Sequence, residues 1–477
     1  MKMLIDGQYR DSSTGEIIKV NNPWTGELID TVPAASAADV DEAVRAAARA
    51  QKSWRGVPVH ERAAIAERFL TLVDRDRSEL ACLLSRETGK PIAQAQIEIT
   101  NIFTAWKAFC EKAKHLYDGI IPAGEERSHE KNLVMMIREP LGVIACIIPF
   151  NFPCNLFDQK AAPAILAGNA AIIKPASDDP LTVCRLVGLL HEAGIPRGVI
   201  QTVTGRGSVA GTALACHPQV SAVSLTGSTD VGVRVAGMAA STLKSTALEL
   251  GGNDAFIVLP DADLELAVNE AVTGRFFNAG QICCAPKRFL VHRSVYDAFT
   301  EAVISRTSAI TPGDPADQKT ALGTLISEKA ARRVEEQIAQ AIGEGACLAC
   351  GGVREGAAMT PAVLTDVPHD AAIMHDMEVF GPVLPVTSFD TEEEALALAN
   401  DTMYGLGASV FTSDMKKASR FARDLEAGSV VINGSSYFRS FEMPFGGLKM
   451  SGIGQEGVAS TFDEMTSVKC VTLKGIF

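Results

Sequence analysis

Residues Gly142–Ser177, GVIACIIPFNFPCNLFDQKAAPAILAGNAAIIKPAS, decide the fold. The run VIACII (Val143–Ile148) is short, continuously apolar and closed by proline, which suits a strand buried on both faces. Asn155 to Leu166 reads as a helix, and AAIIK (Ala170–Lys174) as a second buried strand. Strand, helix, strand is the unit of a parallel sheet covered by helices. The alternation continues with a helix over Leu181 to Ala193 stopped by Gly194, and the strand VIQTV (Val199–Val203). A short helix from Ser208 and the strand SAVSL (Ser221–Leu225) follow. The pattern restarts after Gly252 with AFIVL (Ala255–Leu259) and a helix over Leu264 to Ala271, and runs on to Val430. The fold class is therefore α/β, with two such domains. Upstream, Asp39 to Gln51 and Glu61 to Leu84 have helical spacing, so the first hundred residues are expected to be mainly helical.

Length and composition agree. A chain of 477 residues is too long for one hydrophobic core. Its 47% apolar and 21% charged residues are ordinary for a soluble globular protein. A net charge of −13 without a basic stretch excludes a nucleic-acid binder. No apolar run reaches the roughly 18 to 20 residues that span a bilayer. The polar start, MKMLIDGQYRDSSTGE, lacks the apolar centre of a signal peptide. Eleven cysteines at irregular spacing do not make a disulfide framework, and reduced thiols in a cytoplasm are the simpler account. Cys347-x-x-Cys350 lacks a second pair or a nearby histidine, so no metal is expected there.

In open parallel sheets, ligands sit beyond the carboxyl ends of the strands. Three polar segments fall at such ends. PFNFP presents Asn151, KPAS presents Lys174 and Ser177, and TGSTDVG presents Gly227 and Ser228 at a helix start, with Gly232 inside it. TGSTDVG is not a dinucleotide fingerprint, but its amides and Ser228 suit a pyrophosphate oxygen. Gly205-x-Gly207 forms a further tight turn. Downstream lies FNAGQICCAPKR (Phe277–Arg288), with Cys283 after a Gly-Gln turn and Glu249 of ALELGGN 34 residues before it. Most cysteines are buried packing residues. Three loops of oxyanion-, ribose- and phosphate-suited groups, then a carboxylate, then a thiol suit covalent catalysis instead. Cys284 reads as packing, and His292 and His375 as structural.

PFNFP, IIKPAS, LTGSTDVG, LELGGN, FNAGQICC, MEVFGPV and MPFGGLKMSGIG resemble, in order and spacing, the motifs of the NAD(P)-dependent aldehyde dehydrogenase superfamily. The likeness runs through essentially the whole chain. It implies a Rossmann-like cofactor domain over residues 1–117 and 140–250, and a catalytic α/β domain over 251–455. It also implies a small β oligomerisation extension from 118–139 and 456–477. By resemblance, Cys283 is the nucleophile, Asn151 the side-chain oxyanion donor and Glu249 the base that activates water. Lys174 and Glu378 match ribose-binding residues, Phe380 the aromatic residue beside the nicotinamide, and Gly227 and Ser228 the pyrophosphate site. Ser177 and Gly207 complete the expected cofactor contacts. The expected cofactor is NAD or NADP, the partner a small aldehyde, and the assembly a homodimer or homotetramer.

The chain departs from the family pattern in places. Met377 stands where an acid often precedes Glu378, and Phe150 where a tryptophan often precedes the asparagine. Ser177 replaces a glutamate that would repel a 2′-phosphate, so NADP is expected to be at least tolerated. Succinic semialdehyde dehydrogenases resemble the chain in KPAS and LELGGN, but their arginine in the helix after the Asn turn aligns with Gln159. Arg439, in NGSSYFRSFEMPFGG, stands near an arginine of members acting on lactaldehyde or phosphono-aldehydes. It is expected either to face the aldehyde or to pair with Glu442 at the surface. Transfer of the acyl group to coenzyme A is a competing outcome, as is a catalytically silent relative, and Glu249 argues against both. Asp118 to Glu139 and TSVKCVTL (Thr466–Leu473) read as strand formers without partners nearby, which points to pairing with a second subunit.

Overall fold

The computed structural model describes all 477 residues. Two twisted sheets form its centre. In the first, strands run in the order Gln8–Arg10, Met3–Ile5, Ile200–Thr202, Ala170–Lys174, Val143–Ile147, Ala222–Thr226, Ser245–Glu249, Gly452–Ile453. The five middle strands are parallel and the additions at both edges antiparallel. In the second the order is Cys347–Cys350, Ala362–Thr365, Val383–Phe389, Pro286–His292, Asp254–Val258, Gly407–Phe411, Ser429–Ile432. Only Cys347–Cys350 is antiparallel to its neighbour there.

The central strands are buried along their whole length, which is why they read as unbroken apolar runs. One face of the first sheet carries helices Val59–Arg75, Arg77–Thr88, Ile92–Ala113, Pro153–Ala167, Leu181–Glu192 and Val458–Met465 in a single apolar core. Helices Ala37–Trp54 and Thr229–Ala240 cover the other face. The chain leaves Val143–Ile147 toward one side of the sheet and returns on its other side at Ala222–Thr226. That reversal opens a crevice beyond the ends of these two strands, where side loops diverge.

Three sequence expectations need correction. The first 33 residues are not helical, because they form two antiparallel hairpins, Met3–Ile5 with Gln8–Arg10 and Ile17–Asn21 with Leu28–Pro33. Strands this short carry too few alternations for a period-2 signal. The stretch Glu61 to Leu84 is two helices that meet at Asp76, whose carboxylate is held by Arg75 and Arg185. Finally, Leu133–Pro140 and Thr466–Leu473 pair with each other, residue for residue, with Ile120–Ile121 on the far side. The partner lay in the same chain but too far along it to be seen. No helix is long and apolar enough to cross a membrane. Cys347 and Cys350 are free thiols on an edge strand, and no cluster of metal-ligating side chains exists.

Candidate active site

The cysteine loop is shaped by backbone geometry. Asn278, Ala279 and Gly280 follow one another at positive φ (50°, 53° and 74°). Gly280 has no alternative, since a Cβ there would lie 2.3 Å from the carbonyl oxygen of Gly381. Gln281 then locks the turn. Its Oε1 accepts the N–H of Ile326 at 2.9 Å, and its Nε2 donates to the carbonyl of Asn278 at 3.1 Å. Cys283 emerges three residues before the strand Pro286–His292, partly exposed, and its N–H donates to no group of the protein. Cys284 is buried, as expected of a packing residue.

Asn151 follows the strand Val143–Ile147 and is 6% exposed. Its Nδ2 donates to the carbonyl of Gln281 at 3.0 Å, which ties the asparagine to the cysteine loop and leaves its second N–H free. Glu249 ends its strand opposite Thr226 and Gly452, is 4% exposed, and has one carboxylate oxygen without a partner. Burial, then the neighbouring Cys283 and Glu456, push its carboxyl well above the usual range, while Arg439 acts the other way. The Cys283 thiol is likewise pushed up, first by its contact with Cys284 and then by burial, with Lys287 and Arg439 opposing. Thiol and carboxyl are thus neighbours, each with its proton affinity raised by burial and by the groups around it.

Arg439 does not pair with Glu442. Its Nη2 donates to Glu456 at 2.8 Å, and the guanidinium lies 4.1 Å over the ring of Phe445. Lys160 donates to the other Glu456 oxygen at 2.6 Å and to Thr226 at 2.9 Å. Burial disfavours the Glu456 charge, but Lys160 and Arg439 outweigh it and hold the carboxyl low, at about 2. No other N–H of the Arg439 fork has an acceptor in the protein. Gln159, next to Lys160 on the helix Pro153–Ala167, is 1% exposed, and neither of its amide atoms has a partner.

The remaining candidates lie at strand ends and in the loops beside them. Lys174 ends its strand 4% exposed, donates to the carbonyl of Pro175 at 2.9 Å, and is brought down to about 8 by burial, against the pull of Asp179 and Asp178. Ser177 donates to the carbonyl of Gly205 at 3.0 Å, joining KPAS to the GRG turn. Gly207 is exposed, and a Cβ there would meet nothing within 4 Å, so sterics do not require its glycine. The Gly227 N–H is already bonded to the carbonyl of Glu249 at 3.0 Å. Ser228 is the exposed N-cap of Thr229–Ala240, and its hydroxyl makes no capping bond. Gly232 serves packing, because a Cβ there would come within 2.4 Å of Leu250. Glu378 accepts the N–H of Gly252 and lies 3.3 Å from Lys287, and the Phe380 ring meets Phe150 edge-on at 5.9 Å.

Sequence reasoning missed Glu456, Lys160, Lys287, Lys90 and Glu98. The one available signal was a lysine inside an otherwise apolar helix, which demands a buried partner.

The chain matches the model of the aldehyde dehydrogenase family over residues 9–471. It is 39% identical to a 3-sulfolactaldehyde dehydrogenase of Pseudomonas putida, over 99% of this chain and 96% of that one. It is 38% identical to the NADP(+) succinate-semialdehyde dehydrogenase of Escherichia coli K12, over 98% and 97%. A crystal structure of succinate-semialdehyde dehydrogenase from Burkholderia pseudomallei superposes with a TM-score of 0.96 at 36% identity, covering 99% of this chain and 98% of that one.

Proposed function

Since the chain belongs to the aldehyde dehydrogenase family and is an NAD(P)-dependent enzyme of that class, we propose that it oxidises a small aldehyde bearing an anionic or hydroxylated group to the free acid. The carrying observation is the meeting of Cys283, Glu249 and the half-free fork of Arg439 at one point.

The residues at these strand ends fit NAD or NADP. Ser228 offers an uncommitted hydroxyl at a helix start, and Phe150 and Phe380 form an apolar wall. Glu378 rests on the Gly251–Gly252 turn, where a Cβ on Gly251 would fall 2.6 Å from its carboxylate. Lys174 and Glu378 would hold ribose hydroxyls, and Ser228 the pyrophosphate. A nicotinamide held there would supply the acceptor for the hydride that the aldehyde carbon loses.

With its proton released to solvent, the partly exposed Cys283 sulfur attacks the aldehyde carbon and forms a thiohemiacetal. The free N–H of Asn151 and the amide of Cys283 stabilise the oxyanion, since neutral donors suit a negative oxygen. Loss of hydride leaves a thioester on Cys283. In its deprotonated form, Glu249 then takes a proton from water, the hydroxide adds to the thioester carbon and the carbon–sulfur bond breaks. The acid leaves, and the proton held on Glu249 passes to the sulfur to restore the thiol. Arg439 offers its free N–H groups to an anion a few atoms from the carbonyl, and Gln159 an unpaired amide to a hydroxyl. The outer edge of Thr466–Leu473 is unpaired and mostly exposed, which supports a homodimer or homotetramer built on that strand.

A screen of small neutral and anionic aldehydes with each cofactor, with and without coenzyme A, tests the reading by absorbance of reduced nicotinamide. Product formed only with coenzyme A would overturn it. Arg439→Ala is expected to raise KM for succinic semialdehyde about tenfold more than for propanal, the loss of one charged hydrogen bond. An equal rise for both would remove Arg439 from recognition. NADP is expected to serve at least as well as NAD, because Ser177 brings no charge against a 2′-phosphate and exposed Arg206 adds a positive one. Paired saturation curves favouring NAD by tenfold or more in kcat/KM would contradict this.

A further inference from the structure

Lys90 and Glu98 form an ion pair away from the crevice surface, 1% exposed each, between the end of Arg77–Thr88 and the helix Ile92–Ala113. Removing two charges from water costs several kcal/mol per ion unless further hydrogen bonds satisfy them, and apolar replacements are often more stable. A buried pair therefore needs a reason other than stability, and the other contacts of this one point toward the site. Lys90 Nζ donates to the main-chain carbonyl of Asn151 at 2.9 Å and stands 4.2 Å over the ring of Phe152. Glu98 Oε1 accepts the N–H of Cys154 at 2.8 Å and of Asn155 at 3.3 Å, the first turn of Pro153–Ala167.

The same Asn151 carbonyl also accepts Asn278 Nδ2 at 2.9 Å, from the left-handed turn before Cys283. Asn151 is thus gripped at its carbonyl by Lys90 and Asn278, and at its side chain by Gln281. Phe152, Cys154 and Asn155, which follow it, are held by the same ion pair. A loop residue with an exposed flank would otherwise rotate about its own ψ and carry the carboxamide away from the sulfur.

We propose that the Lys90–Glu98 pair is a positioning device that fixes the Asn151 peptide and so aims its carboxamide at the oxyanion formed on Cys283. The proposal rests on the reading of Asn151 as oxyanion donor. Neither charged residue touches substrate, and both act through residues 151–155. The lysine fixes the carbonyl and the glutamate fixes the start of the helix that follows. Because the carboxamide is needed only when negative charge develops, misplacing it slows chemistry without weakening aldehyde or cofactor binding.

Lys90→Met/Glu98→Gln removes both charges together, so no buried ion is stranded, and glutamine keeps an acceptor for the helix start. The measured quantity is the single-turnover rate of nicotinamide reduction in the full-length enzyme, alongside KM for the aldehyde. The pair variant is expected to slow that rate by roughly 10- to 100-fold, the usual cost of a misplaced catalytic group, with KM little changed. Combined with Asn151→Ala, it is expected to slow the reaction no further than Asn151→Ala alone. Losses that multiply, or a pair variant as fast as the parent, overturn the proposal. If Asn151→Ala by itself leaves the rate intact, the oxyanion assignment fails and the proposal falls with it. Should the pair variant melt below the assay temperature, Lys90→Leu/Glu98→Gln, which fills the site with a stiffer side chain, carries the same comparison.

Discussion

Cys283→Ala is expected to abolish aldehyde oxidation while cofactor affinity stays within a few-fold of the parent protein. The sulfur makes the covalent intermediate, and no other group at that point can replace it. Glu249 is a buried carboxyl, Cys284 is buried behind the loop, and Arg439 is paired with Glu456. The cofactor contacts proposed here come from other loops, those of Lys174, Ser228 and Glu378. The substitution removes only a sulfur from a turn already fixed by Gln281 and Gly280, so folding should be unaffected. Steady-state assays with a responsive aldehyde, and cofactor titration by fluorescence, measure the two properties separately. Turnover above about a thousandth of the parent rate would contradict a covalent mechanism.

Glu249→Gln is expected to give one rapid round of nicotinamide reduction, roughly one equivalent per active site, and then very slow turnover. Hydride loss precedes hydrolysis, so removing the base for water strands the thioester on Cys283. Rapid-mixing absorbance shows the burst, and intact-protein mass spectrometry the acyl adduct. A variant without a burst would place Glu249 earlier, as the base that deprotonates the thiol. Unchanged turnover would remove it from the mechanism. The pH dependence follows from its surroundings. Burial, Cys283 and Glu456 raise the folded-state carboxyl well above the usual carboxylate range. Only the deprotonated form can accept a proton from water, so the hydrolytic rate should fall as pH drops through that raised value. In Glu249→Gln this acid limb should be missing.

Asn151 and Glu249 stood out in the sequence as polar residues that end apolar strand runs, and Cys283 by its Gly-Gln turn, while their proposed roles came from the family resemblance of those segments. Lys174, Ser177, Gly227 and Ser228 stood out as strand-end loop residues, and the structure keeps them at those strand ends. It also shows where position alone misleads. The Gly227 N–H is committed to Glu249, and Gly232 is glycine to admit Leu250. Lys90, Glu98 and Glu456 were not legible. A charged residue in a helical or irregular stretch is usually a solvated face, and its sequence neighbours do not reveal otherwise. Lys160 and Glu456 meet across 296 residues, and Lys90 reaches Asn151 across 61.

The sequence by itself determined the α/β class and the alternation of strands and helices that builds two sheets, and it marked the polar strand ends proposed as the site. These follow from hydrophobic period and from polar breaks at strand ends, both local properties of the chain. Tertiary structure alone decided which charges face those positions. It seated Arg439 on Glu456 instead of Glu442, placed a buried ion pair behind Asn151, and paired Leu133–Pro140 with Thr466–Leu473 within one chain. The physical reason is that burial and pairing depend on which distant segments the sheets bring together. A charge acquires a partner, and a carboxyl an altered proton affinity, only once solvent has been excluded around both.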